Sequence, residues 1–305
     1  MMTKDKYILV ALALMYLWVF NSLIGIKGEH IFLSVFCVTA YTIHPYGKKF
    51  VFAFLIFLIY WIIWDGMKAF PNYLFHEVNI RDLYDLEKGI FGIYEAGEIL
   101  TPNEFFLKHL CATCDLFAGL FYINWVPIPL AFGFYLFLKN PNQLLRFSIC
   151  FLVSNILGFI LYYTYPAAPP WYIQLHGFEF IPQTPGNAAG LLRIDALLDI
   201  NLYKGMYEKS SNVFAAFPSL HAAYPLVAFI YSIRNRYFVW SAILGFFTVG
   251  IWWAAVYTQH HYVIDILAGI FCGIAGWLIT EYAILKSDKI KSYLSAYTDM
   301  ISLKQ

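Results

Sequence analysis

Long apolar runs separated by short polar joints dominate this chain. Eight stretches are apolar enough to cross a bilayer at about 20 residues per crossing, with shorter spans tolerated: 7–26, 30–45, 49–64, 115–138, 145–164, 217–233, 237–256 and 261–284. The pattern predicts an all-α fold, a polytopic membrane helix bundle. Two intervening stretches, 65–114 and 165–216, are too polar to span. Within the first, 79–94 places Ile80, Leu83, Leu86, Ile90 and Phe91 at three and four spacing, with Asp82, Asp85, Glu87 and Lys88 between them. This predicts an amphipathic helix on the membrane face or capping the bundle. Thr101-Pro-Asn-Glu104 reads as a capping box with proline at the first helical position. Pro127 and Pro129 predict a kink in the fourth crossing, with Asp115 at its outward end, either a site residue or solvated at the interface.

The second polar stretch opens with Tyr165-Pro-Ala-Ala-Pro-Pro-Trp171-Tyr172, whose prolines and aromatics predict a rigid extended wall at headgroup level. Gly186-Asn187 looks like a turn, and 191–202 predicts a short surface helix carrying Arg193, Asp195 and Asp199.

Composition confirms the membrane reading and narrows it. Of 305 residues, 61% are hydrophobic and 13% charged, against roughly 25% charged in soluble domains. The net charge of +1, with no basic aromatic patch, excludes a nucleic-acid partner. An even number of crossings puts both termini on one side. Lys4, Lys6, Lys48, Lys49, Lys139, Arg146, Arg234, Arg236, Lys286, Lys289 and Lys291 fall there, so the positive-inside rule makes the termini cytoplasmic and 65–114 and 165–216 extracytoplasmic. Cys37, Cys111, Cys114, Cys150 and Cys272 imply no disulfide framework, and Cys111 and Cys114 read as two small residues at a helix start.

The chemistry-bearing residues gather at two points. In His260-His261-Tyr262-Val263-Ile264-Asp265, a helical run would stack Asp265 one turn from His261, holding its imidazole in one tautomer. In Pro218-Ser219-Leu220-His221, Ser219 is a natural N-cap and His221 falls in the first turn, where amides favour an anion. Two crossings joined by Arg234-Asn235-Arg236 separate them, so both histidines emerge on the outward face, beside the 165–171 wall. Two imidazoles, one supported by a carboxylate, suit phosphoryl transfer without a metal. Zinc held by His221, His260, His261 and Asp265 is the competing chemistry.

These residues resemble the type 2 phosphatidic acid phosphatase superfamily. Its P-S-G-H motif appears as Pro218-Ser219-Leu220-His221, and its S-R-x5-H-x3-D motif ends here as His261-x3-Asp265. The resemblance covers about 49–285, implying a six-helix core, two extra helices in 1–48 and a cytoplasmic tail over 286–305. It implies His261 as nucleophile, Asp265 as its orienting partner and His221 as acid for the leaving group, with no cofactor and no metal. Three departures matter. Ala254-Ala255 stands where phosphatases carry Ser-Arg, the K-x6-R-P motif has no match near 160–171, and Leu220 replaces glycine. The doubled His260-His261 and the proline-aromatic segment are similar to the inositol phosphorylceramide synthase-like branch. That branch implies a phospholipid donor and a sphingolipid, ceramide-like acceptor. A lipid phosphate phosphatase and a non-catalytic lipid-binding or transport protein are the alternatives. Candidates to hold the substrates are Ser219, His260, Tyr165, Trp171, Arg193, Lys204, Lys209 and Asp115, with Glu87 and Asp195 as further acceptors for headgroup hydroxyls.

Overall fold

The structure, a computed structural model, describes residues 4–208 and 212–303. Its helices in chain order are α1 (Lys4–Ile24), α2 (Gly28–Ile43), α3 (Pro45–Ala53), α4 (Leu55–Gly66), α5 (Arg81–Phe91), α6 (Pro102–Lys108), α7 (Ala112–Ile123), α8 (Pro127–Lys139), α9 (Pro141–Thr164), α10 (Pro170–His176), α11 (Leu192–Leu198), α12 (Leu202–Tyr207), α13 (Leu220–Arg234), α14 (Phe238–Tyr257), α15 (Val263–Leu278) and α16 (Asp288–Ile301). One antiparallel hairpin, β1 (Ile93–Glu95) and β2 (Glu98–Leu100), follows α5. The protein is a helical membrane bundle.

Among the described residues, four helices are long and apolar enough to cross a membrane, or six if each of two bent pairs is one span. One bent pair is α7 with α8, which meet at 41°. Here the predicted kink is a full break: α7 ends at Ile123 and α8 restarts at Pro127, whose missing N–H costs nothing at a first helical position. The other bend, 53° between 45–53 and 55–69, carries no proline and is not anticipated by the sequence. Of the remaining predicted crossings, α2 has 16 residues and α13 has 15, so α13 rises only about 22 Å, less than a hydrocarbon core of about 30 Å.

The contacts divide the chain into two compact units. The first comprises 1–70, 133–152 and 280–305. Its buried polar centre is Asp65, which accepts hydrogen bonds from His30 Nε2 at 2.6 Å and Lys68 Nζ at 2.5 Å. Arg146 pairs with Glu281 through both carboxylate oxygens. The stretch expected to be a plain tail is largely the amphipathic helix α16, anchored by Tyr297 donating to the Phe52 carbonyl (2.9 Å) and by Lys49 donating to that of Ser302 (2.5 Å).

The second unit, 71–132 and 153–279, carries the candidate chemistry. Helix α13 packs between α14 and α15, and α14 also packs on α7. Gly269 and Gly273, four apart on α15, allow its backbone to approach α13 closely, as small residues do between membrane helices. A Cβ at Gly269 would collide with the Ser219 carbonyl, whereas one at Gly273 would make only ordinary contact with Leu226, at 3.4 Å. Outside the bundle, 165–169 is extended, as predicted, and becomes helical at Pro170. Ala167 bridges Asn79 on one side and Ala215 on the other. This three-segment spine ties both polar stretches together.

Gly269→Ala should therefore lower stability by about 1–3 kcal/mol, the cost of overpacking, while Gly273→Ala should be close to neutral. Thermal unfolding of the two variants in detergent checks this, and equal effects would refute the close approach.

Candidate active site

The loop 258–262 between α14 and α15 presents the doubled histidine, and its shape is set by backbone bonds. The Ala255 carbonyl accepts from the N–H groups of both His260 (3.0 Å) and His261 (3.1 Å). Gln259 adopts a left-handed φ of 68°. Asn103 of α6, fully buried, donates from Nδ2 to the carbonyls of Val256 (2.9 Å) and His261 (3.0 Å), and Gln259 returns a bond from Nε2 to the Asn103 carbonyl (3.0 Å). The Trp171 N–H donates to the Gln259 carbonyl at 3.1 Å.

His261 Nδ1 lies 3.0 Å from the Ala216 carbonyl. A carbonyl only accepts, so Nδ1 carries the proton and Nε2 holds the lone pair. Nε2 faces His221 Nδ1 at 2.9 Å, and His221 therefore donates along that bond. Burial pushes His261 down to about 4, against the opposing pull of the Ala216 carbonyl, which keeps the ring neutral at pH 7. Asp265 stands differently from the sequence expectation. The helix begins only at Val263, so His261 belongs to the loop, and its Nδ1 is 3.4 Å from Asp265 Oδ2. That oxygen accepts from the Tyr262 N–H at 2.8 Å, and Asp265 Oδ1 is buried without a partner. The Asp265 carbonyl accepts from the Ser219 N–H at 2.8 Å, joining the starts of α13 and α15.

His221 sits in the first turn of α13, edge-on to Trp125 with ring centres 4.4 Å apart. Ser219 occupies the N-cap position, but its hydroxyl makes no capping bond and is buried without a partner. The sequence-expected capping role is therefore absent. His260 lies between the rings of Tyr122 (4.9 Å) and Tyr207 (4.6 Å). Arg193 donates to Asp115 Oδ1 at 2.8 Å and lies over the Tyr257 ring, leaving Nη2 buried and unpartnered.

Several candidate residues have other work. Lys204 is exposed and pairs only loosely with Glu208, at 3.9 Å. Lys209 lies outside the described residues. The Trp171 ring is buried among Ile80, Ala168, Tyr172 and Phe214, and Tyr165 packs against Phe217, so the wall stiffens the fold. Asp195 faces inward and accepts from the N–H groups of Leu202, Tyr203 and Lys204, capping α12. The predicted surface helix thus ends at Leu198, with Asp199 left-handed at φ 52°. Cys111 and Cys114 do start a helix, as expected, but they are joined in a disulfide with Cα atoms 5.2 Å apart. Their spacing of three at a helix N-terminus brings the two sulfurs together.

Among the described residues no group of three or more His, Cys, Asp or Glu side chains is placed to hold a metal ion, and His221 and His261 face each other. Ala254 and Ala255 are fully buried, so there is no room there for a phosphatase-type arginine.

A family model described as the PAP2 superfamily matches residues 100–279. The chain belongs to the PAP2 superfamily. It is 39% identical over 301 residues to phosphoinositol dihydroceramide synthase of Bacteroides thetaiotaomicron, covering 98% of both chains. It is 35% identical to inositol phosphorylceramide synthase of Candida albicans, over 55% of this chain and 37% of that one. It is 36% identical to the inositol phosphorylceramide synthase catalytic subunit AUR1 of Saccharomyces cerevisiae, over 42% and 31%. No solved structure matches.

In this PAP2 member Glu87 is the residue that sequence reasoning placed wrongly, among groups open to a headgroup. It is buried in α5 and accepts from the N–H groups of Val263 (2.9 Å) and Ile264 (3.1 Å), capping the helix that carries Asp265. Only its i+4 spacing from Leu83, on the buried face, hinted at this. Burial, with the Asp265 charge adding, pushes its carboxyl up to about 7 despite the two amides. A carboxyl raised in the folded state stabilises below the unfolded value of 4.5, and that contribution is lost as pH rises through about 7. Glu87→Gln should flatten the decline in unfolding temperature between pH 5 and pH 8. Parallel profiles for variant and parent would disprove it.

Proposed function

We propose that this chain is a membrane phosphotransferase that moves phosphoinositol from a glycerophospholipid to a ceramide-type acceptor by double displacement. The observation that carries this reading is the opposed pair His221 Nδ1 and His261 Nε2, 2.9 Å apart, with the tautomer of His261 fixed from behind by Ala216. The hydrogen bond between them opens as the donor phosphate enters, and the two rings separate around it. His221 takes up a second proton with the anionic phosphodiester and enters the step as imidazolium. His261 Nε2 attacks phosphorus, the bond to the diacylglycerol oxygen breaks, and His221 Nδ1 gives that oxygen its proton. The phosphohistidine ring is cationic, and the Ala216 carbonyl and the Asp265 carboxylate lie where they stabilise it. In the second half, neutral His221 accepts the proton of the acceptor's primary hydroxyl as that oxygen attacks phosphorus and the P–N bond breaks.

Arg193 serves as the phosphate's cation in place of the missing motif. Its buried, unpartnered Nη2 and its orientation by Asp115 support that role, as does the single charge of a phosphodiester, which needs fewer cations than a monoester. The buried Ser219 hydroxyl is a second donor. The names of the relatives support the substrate classes: one is a phosphoinositol dihydroceramide synthase, and the others are inositol phosphorylceramide synthases. The reaction belongs on the extracytoplasmic face, with both termini cytoplasmic. The lysine and arginine distribution supports this, and so does the Cys111–Cys114 disulfide in an outward stretch, which suits an oxidising compartment. The catalytic core spans 49–285, and 1–48 adds two helices in front.

Purified protein in detergent, given labelled phosphatidylinositol and ceramide with a chelator, should yield labelled inositol phosphorylceramide only when ceramide is added. Label released as soluble phosphate or inositol phosphate regardless of ceramide would instead make the protein a hydrolase. His261→Ala should lower transfer by a factor of at least about a thousand with insertion intact. Arg193→Gln should weaken productive donor binding about 10- to 100-fold, the worth of one hydrogen bond to a charged group. Unchanged KM for the phospholipid in that variant would remove Arg193 from the phosphate site.

A further inference from the structure

His260 is chemically distinct from its neighbour. Its Nδ1 is 3.1 Å from both the carbonyl oxygen and the hydroxyl oxygen of Thr258. The Thr258 hydroxyl spends its own proton on the Ala254 carbonyl at 2.7 Å, so both Thr258 oxygens act as acceptors toward His260. Nδ1 therefore carries the ring proton and Nε2 is a bare lone pair. That nitrogen is buried and has no partner. A buried polar atom left unpaired in a native site calls for a ligand group that satisfies it. The Tyr122 ring touches both His260 and His221, with centres 4.9 and 5.2 Å away, so His260 lies beside the opposed pair of histidines.

A lone pair sets the class of group that fits. A phosphate oxygen also brings lone pairs and negative charge, so it is repelled, which removes His260 from the residues that hold phosphate. Burial, with His261 and His221 close by, pushes His260 well below its ordinary value and keeps this lone pair free at neutral pH. What fits is a neutral hydrogen-bond donor carried next to phosphorus. Resting on the phosphotransfer reading above, we infer that His260 Nε2 is a hydroxyl receiver: it accepts a hydrogen bond from a substrate hydroxyl beside the transferred phosphorus and selects lipids that present one. That hydroxyl belongs either to the polyol headgroup of the donor or to the acceptor lipid. A site built to pair with a hydroxyl discriminates strongly against molecules lacking it, because the buried atom is then left unsatisfied.

His260→Phe and His260→Gln separate pairing from packing. Phenylalanine keeps a ring between Tyr122 and Tyr207 but has no acceptor, and the glutamine carbonyl reaches the place of Nε2. With phosphatidylinositol and ceramide varied independently, His260→Phe should raise the KM of one lipid about 10- to 100-fold with the other unchanged, and His260→Gln should recover most of the loss. A shift confined to phosphatidylinositol assigns the hydroxyl to the headgroup. One confined to ceramide assigns it to the acceptor. Unchanged KM values in the phenylalanine variant, or glutamine faring no better than phenylalanine, would overturn the inference.

A measurement on the parent protein stands apart from both folding of the variants and turnover. In protein labelled with 15N-histidine, with the resonance assigned through His260→Gln, phosphatidylinositol or ceramide should move the unprotonated Nε2 signal in the direction of hydrogen-bond acceptance. A signal unmoved by either lipid at saturation would refute the role of His260. Failure of the parent protein to transfer phosphoinositol would instead refute the phosphotransfer reading, whatever this signal does.

Discussion

The site depends on one hydrogen bond, from His261 Nδ1 to the carbonyl of Ala216. It fixes which ring nitrogen is free, and it does so with a group that neither titrates nor rotates. The Ala216 N–H is in turn held by the Ala167 carbonyl at 3.4 Å, and the Ala167 N–H by that of Phe214 at 2.9 Å. The proline-rich stretch after α9 is thus the rail on which the support of His261 is mounted. Its prolines suit that task because they hold an extended backbone with little entropy left to lose. A side-chain carboxylate in Ala216's place would have brought a full charge into a buried cavity, with the desolvation that entails. The carbonyl orients the ring without adding a charge, and Asp265 Oδ2 lies slightly farther away, at 3.4 Å.

Burial decides most of the remaining chemistry. Because the histidine loop is nearly closed to water, the His261 ring is neutral and its lone pair is available at physiological pH. Three other carboxyls of this unit are committed to structural partners: Glu87 to the amides of α15, Asp195 to those of α12 and Asp115 to Arg193. Each sits at a helix start or against a guanidinium, where a buried negative charge is satisfied. Polar atoms buried without a partner in this unit include Arg193 Nη2, Ser219 Oγ, His260 Nε2 and Asp265 Oδ1.

The missing family cations fit the same picture. The buried Ala254 and Ala255 close the end of α14, and the Ala255 carbonyl instead ties down both loop histidines. Arg193 of α11, far away in sequence, is oriented by Asp115 of α7.

The apolar runs by themselves determined that this is a helical membrane protein, because burying backbone polar groups in a bilayer leaves little other choice than helices. Motif order and spacing likewise placed His221, His261 and Asp265 in one family pattern. Roles that depend on a partner far along the chain were decided only by the tertiary structure. Glu87 and Asp195 read as surface acids because an amphipathic pattern cannot tell a solvated carboxylate from one capping a distant helix. The break at Phe54 has no proline to announce it. The support of His261 was invisible for a simpler reason: it comes from the carbonyl of an alanine, and every residue has a carbonyl, so only the fold could single out which one.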